Sequence, residues 1–401
     1  MTKLAFLYTT FPRPTETFVR RELRGLLKLG LVPDLYSIWK GNKTWEGNEI
    51  HLFPLWEIAF LIIWIPYWAW KKPNAFKLIL THLWACPCPN LQNWNETFLG
   101  LASALVQSSR FKKRNYTQTH AVWATMPSTV ALGTNLLAGI PFSMGAHAYD
   151  VFRNGGDWLL KIKLSRALFV RTSSESTAKR LLSLGVEQNK LKLVYRSLKE
   201  EHSWESFEWV SFSYLRLLTV GRLVEKKGYF FLLEILHELK RRRIPFEMQI
   251  VGGGPLKEEI LREINRLRLN GYVTLFDHLD ENQISKFYFD NDVFLFTGVI
   301  DSNGDRDGVP NVIPEAMSHG LLVLGSNQAG SSEGFETGVS GFSLNPKQKE
   351  DWVNLLDQIY KYPEMYMKIR KMAFTRANSK FSGKVNCKKL KDLFQLAACI
   401  S

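Results

Sequence analysis

The chain has 401 residues, 45% hydrophobic and 22% charged, which excludes global disorder and suggests two or three domains. Its formal charge of +14 is compatible with nucleic acid, an anionic membrane surface or phosphorylated substrates, so local sequence must choose among them. Of the cysteines, Cys86, Cys88, Cys387 and Cys399, the close pair has no second Cys/His pair to complete a zinc site, and reduced thiols are expected.

Residues 4–10 read as an apolar strand, with too short an apolar run for a signal peptide. Residues 15–30 read as a helix, with Phe18, Leu23, Leu26, Leu27 and Leu29 near helical spacing and Gly30 as the stop. A strand follows at 32–39. Strands at 120–125, 141–148, 166–173 and 190–195 then alternate with helices near 127–140 and 174–185. Such alternation predicts a parallel, doubly wound α/β sheet. Residues 198–213 have no clean period and read as a linker. Alternation then restarts, with strands at 215–221, 246–252, 273–276, 292–298 and 321–326, intervening helices, and a helical tail from 347 to 396. The chain divides into Rossmann-like halves at 1–197 and 214–380, with 381–401 as a tail expected to pack on the first half.

Residues 52–72, LFPLWEIAFLIIWIPYWAWKK, break the pattern. Their apolar run approaches the roughly 20 residues that span a bilayer. Glu57 and Pro66 interrupt it, and a single span would place parts of one sheet on opposite sides of a membrane. Trp56, Trp64, Trp68 and Trp70 suit the interfacial zone, and Lys71, Lys72 and Lys77 suit anionic headgroups. Insertion into a membrane surface is the favoured reading; a buried core helix and a true span are the alternatives.

Residues 305–320, DRDGVPNVIPEAMSHG, concentrate the candidate chemistry. Asn311 is placed to cap a helix over 312–319, with Pro314 in its first turn and Gly320 just past its end. Glu315 then projects from the first turn and Asp307 from the loop before it. Free amides between them would sit at the carboxyl edge of strand 292–298, where open α/β sheets bind anions. Carboxylates beside an anion site suit a ligand with both phosphates and hydroxyls, such as a nucleotide sugar; a capped helix with two solvated acids reads equally well. Arg222 and Lys227, on the loop after strand 215–221, supply a fork and a point charge suited to a diphosphate. The Gly-rich turn 251–256 lacks a full phosphate-binding signature. Asp305 and Asp307 spell Asp-x-Asp within 301–308, but Arg306 and Val312 stand where a calcium loop needs Gly and Glu.

The second half resembles the family-4 retaining glycosyltransferases of the two-domain GT-B fold. Their Glu-x7-Glu element reads here as Asp307-x7-Glu315, and their Gly-Arg-x4-Lys-Gly element as Gly221, Arg222, Lys227 and Gly228. Gly330–Glu333 and Gly338–Gly341 match later Gly-x-x-Glu and Gly-x-x-Gly elements. In the first half, 11–18, 120–127 and 147–152 resemble a subgroup that builds surface polysaccharides of the colanic-acid type or glycolipids. Departures are Asp307 for the usual Glu, YRSLKEE where Asn-Gly-x-Asp is common, and the loss of an Ile/Val-Pro before Glu333.

The resemblance implies two Rossmann-like domains facing each other across a cleft, with C-terminal helices crossing back. It implies that Arg222 and Lys227 neutralise a departing diphosphate, Glu315 binds ribose, Asp307 contacts the donor sugar, and amides from Gly308, Val309, Asn311 and Val312, around Pro310, touch sugar and phosphate. Glu333 would order the donor pocket. Glu16, His147 and Asp150 fall on the acceptor side, with His147 also touching the donor sugar. No metal and no cofactor beyond the nucleotide sugar are expected. The implied activity is transfer of a hexosyl group from a UDP- or GDP-sugar to a lipid-linked or saccharide acceptor, by a cytoplasmic protein bound peripherally to the inner membrane face. Rivals are a nucleotide-sugar 2-epimerase on the same fold and a non-catalytic nucleotide-sugar or membrane-binding protein. No RNA motif or helix-turn-helix supports nucleic-acid binding.

Overall fold

The computed structural model describes residues 3–13, 16–199, 202–204, 213–328 and 330–400. Most of the expected linker, 200–201 and 205–212, and residues 14–15 of the 11–18 motif lie outside the described residues. The chain forms two compact units, Met1–Tyr195 with Asn386–Ser401, and Arg196–Val385. The division therefore falls slightly before the expected 197 and later than the expected 381.

The first unit contains β1 (Leu4–Phe11), α1 (Thr17–Lys28), β2 (Asp34–Gly41), β3 (Thr44–Trp45), β4 (Asn48–Leu52), α2 (Leu61–Lys71), α3 (Pro73–Ala85), α4 (Leu91–Lys113), β5 (Gln118–Ala121), α5 (Met126–Ala138), β6 (Phe142–Gly145), α6 (Tyr149–Phe152), α7 (Leu160–Arg166), β7 (Val170–Thr172), α8 (Glu175–Ser183) and β8 (Leu191–Leu193). Its sheet runs β3-β4-β2-β1-β5-β6-β7-β8, parallel except for the short β3–β4 pair. In α1, Val19, Leu23 and Leu26 form the buried stripe, and Gly30, at φ 81°, lets the chain turn out of the helix.

The second unit contains β9 (Leu215–Val220), α9 (Tyr229–Arg241), β10 (Phe246–Val251), α10 (Lys257–Arg266), β11 (Val273–Phe276), α11 (Glu281–Asp290), β12 (Val293–Phe296), α12 (Val312–Ser318), β13 (Leu322–Ser326), β14 (Phe342–Leu344), α13 (Lys349–Lys361) and α14 (Met367–Lys380); α15 (Gly383–Ile400) follows. Its sheet runs β11-β10-β9-β12-β13-β14, parallel throughout. Strand β12, VFLF, is buried at every position, as a central parallel strand covered on both faces should be. Strand order reverses at β9, which lies between β10 and β12. This is the position where α/β sheets open for ligands.

Most of α15 packs on the first unit. Leu390, Phe394 and Ala397 join Leu4, Phe6, Tyr8, Val19 and Leu23 in one cluster. The Phe394 ring lies 5.1 Å from Phe6 and 4.9 Å from His120. Lys391 Nζ donates to the Leu29 carbonyl at 2.7 Å.

Segment 52–72 is broken. A 3-10 turn, Leu55–Phe60, leads into α2, which contains Pro66, and Pro73 starts a new helix. Among the described residues no helix is long and apolar enough to cross a membrane, so the spanning alternative is corrected. The reason is local: Glu57 is committed to Arg110 at 2.7 Å, and Lys71, Lys72 and Pro73 end the apolar run. One face of α2 is core, with Trp68 buried and its Nε1 donating to the Leu105 carbonyl at 2.9 Å. The opposite face is open: Ile62 is 80% and Trp70 82% exposed.

Candidate functional site

In the second unit the site is built from the loops after β9 and β12, the strands on either side of the order reversal. The first loop turns at 225–227 and ends at Gly228 (φ 68°), where a side chain would collide with the Thr297 carbonyl at the end of β12. Thr297 Oγ1 in turn donates to the Gly228 carbonyl at 2.9 Å. The Gly-rich turn after β10 packs beneath the same loop: Leu223 N donates to Gly253 O at 3.0 Å, and a Cβ on Gly254 would lie 2.7 Å from Leu223 N. Those glycines therefore permit backbone-on-backbone packing, which accounts for them without a phosphate.

This packing sets two lysines against two aspartates. Lys227 Nζ is 2.6 Å from Asp307 Oδ2, while Lys226 Nζ is 3.4 Å from Asp307 Oδ1 and 2.9 Å from Asp305 Oδ2. Lys227 also stands 5.1 Å over the Phe296 ring. Burial alone would raise the Asp307 carboxyl, but Lys227 and Lys226 outweigh it and hold it below the ordinary carboxylate value. Burial lowers Lys227, with Lys226 and Arg222 adding to the effect and Asp307 opposing it. Arg222 is exposed and makes no side-chain hydrogen bond or ion pair among the described residues.

The Asp307 loop is backed by the expected Gly330–Glu333 element. Gly330 N donates to the Asp307 carbonyl at 3.0 Å, and a Cβ at Gly330 would lie 2.6 Å from the Gly308 carbonyl carbon. Glu333 sits on the following 3-10 turn, half-buried, and its carbonyl accepts from Lys380 Nζ at 3.1 Å.

Asn311 does not cap α12 with its side chain: its backbone is already helical (φ −58°, ψ −30°), not the extended conformation from which a cap side chain reaches back, while the carbonyls of Pro310 and Asn311 accept from the amides of Ile313 and Glu315. The helix ends at Ser318, and Gly320 takes the left-handed conformation (φ 75°) expected past its end. Among the described residues the amides of Gly308, Val309, Asn311 and Val312 donate to no backbone carbonyl. Unpaired donors of this kind at a loop-to-helix junction suit an anion. Glu315 is half-buried, and Tyr288 on α11 donates to its Oε2 at 3.1 Å. The Tyr288 ring stacks on His319 at 4.9 Å.

The other predicted residues lie in the first unit. His147 follows β6 and is buried against the edge of the Trp123 ring, 5.2 Å between centroids. Its Nε2 lies 2.8 Å from where a Gly145 Cβ would be, so Gly145 makes room for the imidazole. Asp150 is buried, and its carboxylate accepts from the amides of His147 (3.0 Å), Ala148 (2.9 Å) and Ala124 (3.1 Å). Burial pushes its carboxyl up despite those bonds. With both oxygens engaged by backbone, Asp150 holds the loops after β5 and β6 in place around His147 and does not offer a free carboxylate to an acceptor. Glu16 precedes α1 and pairs with Arg13 at 3.4 Å.

Sequence reasoning missed Lys226, Asp305 as a salt-bridge partner, and Tyr288. The doubled lysine of EKKG and the doubled acid of DRD were visible signals; the approach of Tyr288 to Glu315 left none.

Two Rossmann-like units with this pair of loops define the GT-B class of fold. Residues 213–376 match the family Glycosyl transferases group 1. The chain is similar to the amylovoran biosynthesis glycosyltransferase AmsK of Erwinia amylovora, at 29% identity over 163 residues, 41% of this chain and 40% of that protein. It is similar to a putative colanic acid biosynthesis glycosyltransferase, WcaL of Salmonella typhimurium, at 30% over 128 residues, 32% of each. These matches span less than half of either relative's length. Among solved structures, HepE of Anabaena in complex with UDP superposes with a TM-score of 0.70 at 14% identity, covering 99% of this chain and 100% of that one, a likeness of fold.

Proposed function

We propose that the protein is a retaining glycosyltransferase that moves a hexosyl group from a UDP- or GDP-sugar to a hydroxyl of a membrane-associated acceptor in polysaccharide or glycolipid biosynthesis. The observation that carries this reading is the pairing of Lys227 with Asp307 at 2.6 Å beside four amides at 308–312 that donate to no backbone carbonyl among the described residues. Cations and amides there suit a diphosphate, and the carboxylates suit sugar and ribose hydroxyls. In the reaction Arg222 and Lys227 would stabilise charge on the departing diphosphate as the anomeric centre becomes oxocarbenium-like. Because ammonium groups already neutralise Asp305 and Asp307, the reading assigns the leaving-group role to side chains and needs no metal. The names of AmsK and WcaL support a role in polysaccharide synthesis, and UDP in HepE supports a nucleotide donor.

An exposed apolar face supports the membrane-associated acceptor. Ala59, Ile62, Ile63, Pro66 and Trp70 form one exposed stripe at helical spacing, and Trp84 on α3 is 90% exposed. From 58 to 95 the chain has no acidic residue, while Lys71, Lys72 and Lys77 are exposed. The composition suits the interface of an anionic bilayer, here the inner membrane face. Sedimentation with phosphatidylglycerol vesicles and not with phosphatidylcholine vesicles, abolished by joint Ile62→Ser and Trp70→Ser substitution, is the expected result. A protein that ignores both vesicles removes this part of the reading.

The donor test is thermal stabilisation by UDP, GDP, ADP, CMP and dTDP with EDTA present, on wild type and Lys227→Ala. One diphosphate should raise the Tm of wild type alone. Binding that requires a divalent ion would refute the metal-free site, and turnover of donor without acceptor would point to an epimerase.

A further inference from the structure

Lys226 has no part in the family resemblance, yet it is the more buried of the two lysines, at 8% side-chain exposure against 13%. Two ammonium groups share one carboxylate: Lys227 holds Asp307 Oδ2, and Lys226 lies 3.4 Å from Oδ1. Their tethers differ. Lys226 is held a second time by Asp305 at 2.9 Å, and its backbone carbonyl is fixed by Val299 N at 2.8 Å. Asp307 is the one acid in salt-bridge reach of Lys227 among the described residues. A diphosphate that recruits Lys227 must take it from Asp307. A buried carboxylate stripped of its only cation is strongly disfavoured, so the exchange requires a cation that stays behind.

We propose that Lys226 is that cation: a positioning residue that keeps Asp307 charged and in place while Lys227 exchanges its carboxylate for the donor diphosphate. The proposal rests on the donor-site reading above. It separates the two lysines, one mobile between acid and ligand, the other a fixed counter-charge. Without Lys226, Asp307 would compete harder for Lys227, and the cost would fall on the diphosphate and not on the nucleoside.

The test is a double-mutant cycle read by calorimetric titration, with UDP, GDP and the corresponding monophosphates, on the full chain. Lys226→Met should weaken diphosphate binding about tenfold, on the scale of coupling between contacting charges, and leave monophosphate binding within about twofold. Lys226→Arg should restore most of the loss. In an Asp307→Asn background the Lys226→Met penalty should vanish, because no carboxylate remains to hold Lys227. A general structural role would weaken mono- and diphosphate alike and persist in that background; either result overturns the proposal, as does unchanged diphosphate binding in a folded Lys226→Met. If Lys226→Met does not fold, Lys226→Arg at wild-type affinity for both ligands, with Lys226→Gln also unimpaired, overturns it. A wild type that binds neither diphosphate instead refutes the donor site itself and takes the proposal with it.

Discussion

Tyr288 and Glu315 come from helices α11 and α12 and meet through a 3.1 Å hydrogen bond from the phenol to Oε2. The bond points one carboxylate oxygen and leaves the side chain half-buried at the first turn of α12. Tyr288→Phe should remove it without opening a cavity. If Glu315 grips a ribose, nucleoside diphosphate binding should weaken by roughly 3- to 10-fold, the worth of one hydrogen bond of about 0.5–1.5 kcal/mol. A ribose-deoxygenated analogue should lose less, and equal losses for both would remove Glu315 from the ribose.

The Gly228–Thr297 junction should tolerate no side chain. Gly228→Val combines a left-handed backbone with a collision at the Thr297 carbonyl. Strain of about 1–3 kcal/mol is expected in chemical denaturation, together with loss of diphosphate binding, since Lys227 is the adjacent residue. Wild-type stability and affinity in this variant would show that the two loops are not locked together.

Lys227 titrates below the ordinary lysine value because it is buried. Diphosphate binding needs its ammonium form, so affinity should fall as pH rises through that lowered value. In Lys227→Arg the alkaline decline should disappear over the same range, because guanidinium keeps its proton. An unchanged profile would mean that another group controls it.

Asp307 gives an acid-side signature in stability. Its folded pKa is depressed, so its stabilising contribution is present above the unfolded carboxylate value, near 3.9, and is lost as pH falls through the folded value. The denaturation gap between wild type and Asp307→Asn should be widest near neutral pH and close below about pH 4. A gap independent of pH would mean that the carboxylate's charge contributes nothing there.

Phe394→Ala should cost about 3–5 kcal/mol, since the ring is fully buried among Phe6, His120 and Phe169. The loss should appear in the first unit: amide exchange in β1 and β5 should quicken while β9 and β12 keep their protection.

The repeating strands were legible because central parallel strands are unbroken apolar runs, as in 293–296 and 321–324. Helices α3 and α4 were not: in α3 only Ala75 is buried and the other apolar side chains are half-buried or exposed, while in α4 the buried side carries Thr97, Gly100, Ser103, Gln107 and Ser108, so no apolar stripe marks either. Arg222, Lys227, Asp307 and Glu315 were found through spaced motifs. Lys226 was overlooked because the motif carries one lysine at that point, and which of two adjacent lysines reaches an acid is decided by backbone direction. Asp150 shows the opposite limit: the sequence gives a carboxylate, but only the structure reveals three amides already bound to it.

The return of α15 to the first unit has a consequence for synthesis. Leu390 and Phe394 are as much a part of that core as Leu4 and Phe6, yet the ribosome delivers them nearly four hundred residues later. The second unit, Arg196–Val385, is complete in sequence before those residues are made. The first, though begun earlier, must hold an uncovered patch on β1 and α1 until residues 386–397 clear the exit tunnel. The half made first is thus the half completed last, and nascent chains stalled before that point should be the ones that engage chaperones.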